Sequence, residues 1–517
     1  MAIRDLNDTS TPIGQAWFRR GLSLAVPAPA VESYIIQGAR RTEVRGRQIL
    51  EFYPPSYATD DTVTSHFRFA FRHEPIDLGV LIAVLKAIDP AVIEAWVSAE
   101  PSGAYSRRTW FFYETFIGRT LNLDDARIGN YVEALDPKRH IVANRRNSPR
   151  HRVIDNLLGG AGLCPTVRRT PRLAEQMKLQ IDAEARALIE SYDPATLARA
   201  VNYLYTKETK SSFAIEGETP NANRTDRFIT ALKAAPGFNP DKNSLIRLQG
   251  DIVDPRYKAT GWREFQNFVG ETVGGYREEV HFICPRPQDV PGLMDSWFKL
   301  TMRVVEGVPA QGAGVWLPVI AAALSAFTFV FIHPFEDGNG RIHRFLIHHI
   351  LAKRGYTPDG IIFPVSAAIL RDRRRYDEIL ETFSRPALDF TQWQWTSDRE
   401  IEVTNDTGDL YRYFDATLFV EYLYDRIADT VRLDLKEELG FVAVFDRAVN
   451  EVREIVDMPD RRASLFVRLC LQHNGALSGA KRAQFAELSD AEIALLEAAV
   501  QRAIAAEAID PASSSVN

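Results

Sequence analysis

Cysteine is scarce: Cys164, Cys284 and Cys470 are the only three in 517 residues. They are odd in number, far apart and without metal-ligand spacing. That argues against a disulfide framework or a cysteine-built metal site, and a reducing, cytoplasmic setting is expected. Neither sign of charge dominates. The chain carries 62 Lys and Arg against 68 Asp and Glu, a net charge of -6, so its total charge does not mark a general nucleic-acid binder. The opening MAIRDLNDTSTP has no basic segment followed by an apolar run, and no signal peptide is expected. No repeat recurs at a fixed period. One uncharged run, Gly312 to Ile332, is long enough to test as a membrane span. Ala, Gly, Ser and Thr dilute it, Pro318 interrupts it, and it feeds into a polar loop. A buried central helix starting near Pro318 is the expected outcome, with no membrane partner.

What is present is an ordinary globular balance, 45% apolar and 25% charged, in a chain long enough for two to four domains. Residues 1–170 read as a mixed α/β module. RQILEFY (Arg47 to Tyr53) reads as a strand broken by PPSY, Asp77 to Ile93 as a helix, and Trp110 to Phe116 as helical. Basic patches at Arg40–Arg47, Arg145–Arg152 and Arg168–Arg172 read as solvated faces or domain contacts ahead of a nucleic-acid surface. Residues 171–400 open with helical periodicity. They continue through TKETKSSFAIEGE (Thr206 to Glu218) and a stretch of β character, Phe268 to Ile283, to the apolar helix. Residues 401–517 read as a helical C-terminal region. Trp393 and Trp395 are expected in a core or on a helix.

The chemistry concentrates in His333 to Arg344, HPFEDGNGRIHR. An apolar helix must stop at His333–Pro334, because a residue before proline is pushed out of α geometry. Gly338-Asn339-Gly340 allows positive φ at several places and can turn N–H groups inward as an anion nest. A second helix starting near Arg341 points its N-terminal dipole at the same spot. Arg341 and Arg344, three apart, share a face of that helix and suit a polyphosphate. Asp337 beside such a nest would repel phosphate unless a cation lies between, which argues for Mg²⁺. His333 has a side chain that titrates near neutrality and can take a proton from an incoming hydroxyl.

These twelve residues match the motif of the Fic family, H-x-F-x-[D/E]-G-N-G-R-x-x-R, with every fixed position filled. The resemblance covers about residues 175–400. It implies a mainly α, helical Fic fold with a β-hairpin flap, and transfer of AMP from ATP to a protein hydroxyl. His333 would be the general base and Asp337 the Mg²⁺ ligand. Gly338, Asn339, Gly340, Arg341 and Arg344 would hold the phosphates, and Phe335 would anchor the loop in the core. Ser212 to Gly217, SFAIEG, is similar to the family's inhibitory pattern [S/T]-x-x-x-E-[G/N]. Ser212, Glu216 and Gly217 would then form an inhibitory helix end near residues 206–218, with Glu216 pairing with Arg344. Two unit charges about 4 Å apart interact by roughly 4 kcal/mol at an effective dielectric of about 20, and about 2.7 kcal/mol keeps about 99% of molecules off.

Tyr276 to Pro287 resembles the flap that clamps a target by main-chain pairing, and DVPGLMDSWFKL the helix that follows it. Tyr376 either lines the adenine site or packs on a neighbouring helix. Glu336 is expected to be exposed, and Arg371, Arg373, Arg374 and Arg375 to form a solvated face. His343, His348 and His349 invite a metal site, but adjacent histidines point apart and such a cluster would leave the arginines without purpose. The expected partner is a protein substrate, possibly the chain itself. A homo-oligomer stays open. Two other readings also stay open: a relative that uses another phosphate donor or removes AMP, and a nucleotide-sensing regulator that binds DNA or protein.

Overall fold

The computed structural model describes residues 10–274, 277–306 and 317–509. Helices dominate it, and the sheets among the described residues are small. The described residues fall into two units that alternate along the chain. The first takes in the described parts of Met1–Leu179, Ala234–Arg354 and Asp372–Tyr424; the second, those of Gln180–Lys233, Gly355–Arg371 and Asp425–Asn517. Each unit thus combines middle stretches of the chain with one of its ends.

In the first unit, a four-stranded sheet has the spatial order Thr11–Ile13, Val31–Ile35, Gln48–Tyr53, Arg41–Arg45. Its inner pair is parallel and its outer pairs antiparallel. The strand read from RQILEFY buries Leu50, Phe52 and Tyr53. It stops at Pro54 and Pro55, where a 3-10 turn begins, since proline offers no N–H to a ladder. Helices Val63–His73, Leu78–Ala87, Pro90–Ala99 and Ala104–Ile117 share an apolar core that includes Phe67, Phe71, Leu81, Trp96 and Phe112. The single helix expected over 77–93 is two. Pro90 opens the second at its first position and the Asp89 side chain caps it through the N–H of Ala91, at 2.9 Å. The basic patches spend charge inside the chain: Arg41 and Arg45 on Glu43, Arg150 on Glu114 and Asp125, Arg168 on Asp415.

The apolar run forms a central helix, Leu317–Ile332, buried from Pro318 to Phe329. Its 16 residues fall short of the roughly 20 a bilayer needs. Among the described residues no helix is long and apolar enough to cross a membrane; residues 312–316 of the run lie outside them. Helix Val290–Glu306 packs on it, with Trp297 buried and its indole N–H donating to the Ser325 carbonyl at 2.7 Å. Trp393 and Trp395 belong to neither a core nor a helix. They lie on strand Trp393–Trp395, paired antiparallel with Ile401–Val403. W-Q-W carries the period of two that a strand uses.

The second unit is helical. Helix Pro194–Ile215 is joined to helix Val365–Arg371 through buried Glu208, which accepts from the Ser366 backbone N–H at 2.8 Å and from the Ser366 hydroxyl. Helices Lys436–Ile455, Asp460–Leu471 and Asp490–Ile509 close a separate apolar core that includes Val452, Phe466, Leu496 and Val500.

Candidate active site

The central helix ends where the chemistry was expected. The His333 N–H closes its last turn on Phe329 O at 3.0 Å, and the residue then turns to φ 51°. A non-glycine residue in that region costs about 1–3 kcal/mol and persists only when its surroundings impose it. The imidazole Nδ1 lies 3.2 Å from the Val330 carbonyl. A carbonyl only accepts, so Nδ1 carries a proton, and in the neutral ring Nε2 would hold the lone pair.

The loop that follows is built by its own side chains. Phe335 is fully buried against Trp262 and Phe329. Asn339 grips the Phe335 backbone twice: its Oδ1 accepts from the N–H at 3.0 Å and its Nδ2 donates to the carbonyl at 2.8 Å. Asp337 Oδ1 accepts from the N–H of Gly338 and from Arg341 Nη2, each at 2.6 Å. Gly338 has φ 89°, and a Cβ there would sit 2.9 Å from Val253 Cγ1, so glycine is required on both counts. The second helix runs Asn339–Lys353, two residues earlier than expected, with Gly338 as its N-cap. Positive φ is therefore confined to Gly338 and His333, while Asn339 and Gly340 are helical. The candidate anion site is thus the first turn of a helix, whose N–H groups have no intrahelical acceptor.

Arg341 and Arg344 are both buried, each about 1% exposed. Arg341 is partnered by Asp337 and by the Ile252 carbonyl, at 3.2 Å from Nη1. Asp337 itself is 41% exposed, and Glu336 is exposed, as read from the sequence. Among the described residues no group of three or more His, Cys, Asp or Glu is placed to cage a metal. A cation here would need one carboxylate and outside oxygens, which is how Mg²⁺ binds with phosphates and water. Asp337 fits that part.

Tyr376, on helix Arg373–Asp389, is 4% exposed, its ring near those of His343 and Tyr422. That is a packing position. His349 is buried and its Nδ1–H donates to the Ala235 carbonyl at 2.7 Å. Burial pushes its pKa down to about 4. The unfolded chain takes that proton near pH 6.5, so the contribution to stability is complete above that pH and is lost as pH falls towards 4. Acidification across this window should cost up to about 3 kcal/mol through this residue alone. Denaturant titrations at about pH 7 and about pH 4.5 should show the drop. It should shrink in His349→Gln, which keeps a donor and cannot titrate.

Two residues that the sequence did not mark hold the loop in place. Gln249, fully buried on helix Lys242–Ile252, donates to the carbonyls of Asp337 at 3.2 Å and Tyr257 at 3.0 Å. Arg263, 5% exposed, donates through Nε to His333 O at 2.8 Å, through Nη1 to Phe265 O at 2.8 Å, and through Nη2 to Pro285 O at 2.6 Å. Its own N–H donates to Pro334 O at 2.9 Å. One guanidinium therefore ties the turn at His333 to a β-hairpin of strands Phe268–Val273 and Arg277–Ile283. That hairpin starts earlier than the 276–287 expected for the flap, because Phe268 pairs with Ile283; residues 275 and 276 lie outside those described. Phe268 meets Trp395, which is 40% exposed, edge to face at 5.7 Å. Arg263→Met leaves three carbonyls without this donor, that of Pro285 buried and those of His333 and Phe265 part-buried, and at about 1–3 kcal/mol for a buried one should lower the unfolding free energy by about 2 kcal/mol or more. Arg263→Lys should recover little, since an ammonium lacks the planar fork. Urea titration measures both, and a loss below about 1 kcal/mol in Arg263→Met would remove the bracing role.

Ser212, Glu216 and Gly217 belong to the second unit, at the end of helix Pro194–Ile215. Ser212 is buried within the helix. Glu216 is its C-cap, and Gly217 follows at φ 73°. The Gly217 N–H reaches Ala214 O and the Glu218 N–H reaches Phe213 O, each at 3.0 Å. This paired closure needs a left-handed residue at the position Gly217 holds. The glycine of the pattern thus has a backbone reason and fixes Glu216 at the helix end.

An imidazole at a helix end, a half-exposed carboxylate and a glycine-opened helix N-terminus, flanked by a two-stranded hairpin, make up the candidate site of a mainly helical protein. Residues 240–351 match the model of the Fic/DOC family. The chain is 26% identical over 279 residues to the protein adenylyltransferase Fic of Nematostella vectensis, covering 48% of this chain and 60% of that protein. It is 28% identical over 205 residues to the protein of the same name in Drosophila erecta, covering 37% of this chain and 41% of that one. The chain therefore spans less than two thirds of either relative. A solved Fic domain protein from Bacteroides thetaiotaomicron aligns at 21% identity and a TM-score of 0.36, over 51% of this chain and 97% of that structure.

Proposed function

We propose that this protein transfers AMP from ATP to a hydroxyl on a protein side chain, its own included, and that Glu216 restrains it. The observation that carries the reading is His333: an imidazole whose Nδ1 faces a carbonyl, held beside a helix N-terminus suited to phosphate. Nε2 takes the proton of the incoming hydroxyl as its oxygen bonds to the α-phosphorus. The bond from that phosphorus to the bridging oxygen breaks, and pyrophosphate leaves. Gly338, Asn339 and Gly340 bring the first-turn N–H groups to the phosphates. Arg344 and, through its pairing with Asp337, Arg341 supply positive charge. Asp337 would hold Mg²⁺, which would neutralise phosphate charge. Catalysis is then positioning and electrostatic stabilisation. The hairpin offers main-chain groups to a target segment. The relatives' name, protein adenylyltransferase, supports the same donor and acceptor.

For inhibition, Glu216 would pair with Arg344 and occupy the place of the γ-phosphate. A carboxylate at a helix C-terminus opposes the helix dipole. Mass spectrometry of the Glu216→Gly protein after incubation with ATP and Mg²⁺ tests donor, chemistry and restraint together. One adenylyl group on a Tyr, Thr or Ser is expected. No adduct, or an adduct of another mass, would overturn the reading.

A further inference from the structure

The first unit carries a half-open cavity of about 750 Å³, and none of residues 333–344 lines it. Its walls are mostly apolar: the segment 24–30 (LAVPAPA) and the rings of Phe383, Phe414 and Phe419. Its polar lining includes Asp77, Arg168 and Asp415. Arg168 Nε donates to Asp415 Oδ2 at 2.5 Å, which settles one pair. Asp77 caps helix Leu78–Ala87, accepting from the Val80 N–H at 3.0 Å, and among the described residues no side-chain ion pair holds it, Arg168 acting on it only at longer range. Lys86, also in the lining, is paired with Asp409. Of the other lining cations, Arg385 pairs with Glu381 and Arg47 donates to the Glu378 carbonyl, and the charges acting on Asp77 are Asp415 and the Arg168 that Asp415 already holds. Burial raises the Asp77 pKa to about 6, so near neutral pH it is an anion that a bound cation would stabilise. Aromatic faces favour cations as well. A large apolar cavity with a few convergent polar groups is the usual form of a small-molecule site.

We infer that this cavity binds a small organic cation, an ammonium or amidinium on an apolar body, with the charge at Asp77 and Asp415 and the body against Phe383, Phe414 and Phe419. Its occupancy bears on the motif through one ring. Phe383 stacks on Phe331 at 4.0 Å between centroids, and Phe419 meets Phe331 at 5.1 Å. Phe331 lies in the last turn of the central helix, two residues before His333. Phe383 also touches Phe282 of the hairpin at 6.1 Å.

Calorimetry on the full chain with phenethylammonium, 2-phenylethanol and 3-phenylpropionate tests this. These probes share an apolar body and differ in charge. The ammonium should bind at about 1 mM or tighter and at least about tenfold more tightly than the alcohol or the carboxylate. Asp77→Asn keeps a competent helix cap and should weaken the ammonium by about tenfold or more. Ala83→Phe, which places a ring in the cavity, should abolish binding and locates the site independently of Asp77. Equal affinity for the three probes, no binding of the ammonium, or an unchanged affinity in either variant would overturn the site. On saturation the side-chain ¹⁵N signals of His333, identified by their loss in His333→Ala, should shift; unmoved signals at saturation would overturn the link to the motif.

Discussion

Replacing His333 with alanine is expected to lower transfer of label from α-labelled ATP by about a hundredfold to ten-thousandfold, the usual contribution of a positioned general base. ATP binding should change little, because the phosphate-binding groups belong to the helix N-terminus and the arginines. The expectation is sharp because the imidazole's environment assigns its tautomer. Nδ1 faces the Val330 carbonyl, so the base of the proposed reaction would be Nε2. His343, on the motif helix, is fully buried against Phe327. Filter binding of labelled protein measures the transfer, and calorimetry with ATP the binding. Transfer at the parent rate would take His333 out of the reaction. Lost transfer together with lost ATP binding would show a collapsed loop, which Asn339 and Arg263 brace independently of the imidazole.

Replacing Glu216 with glycine is expected to act in the opposite direction, raising auto-modification by about a hundredfold if the glutamate holds about 99% of molecules off. The side effects should be small. Gly217, not Glu216, supplies the left-handed turn that closes helix Pro194–Ile215. A carboxylate at the C-terminal end of a helix is disfavoured by the dipole by about 0.3–1 kcal/mol. Time courses of self-labelling at equal protein concentration give the ratio, and thermal melts report the fold. An unchanged rate with an unchanged melt would remove the inhibitory assignment. The double variant His333→Ala, Glu216→Gly should be as inactive as His333→Ala alone, since release cannot restore a missing base.

Much of this was legible in local sequence. The stop at His333–Pro334, the glycine at 338 and the helix beyond it follow from what proline and glycine permit in the backbone. The strand Gln48–Tyr53, the buried run ending at Ile332 and the exposed Glu336 follow from period and polarity. Each of these is decided within a few residues. The misreadings were local too. Helical periodicity runs on through 77–93 although Asp89-Pro90 divides the stretch, and the tryptophans of W-Q-W suggest a core or a helix although they lie on a strand.

What tertiary structure alone decided is which distant groups meet. Arg263 stands 70 residues from His333 and Gln249 stands 88 from Asp337, and neither lies in a pattern that announces a role. Arg341, read as a phosphate ligand, meets Asp337 and the Ile252 carbonyl. The cavity beside Phe331 draws its lining from segments near residues 24, 77, 168, 383 and 415. Sequence determines the turns, caps and periods because backbone sterics and side-chain entropy act over a few bonds. Bracing contacts and cavities depend on which surfaces fold together, and no spacing along the chain encodes that pairing.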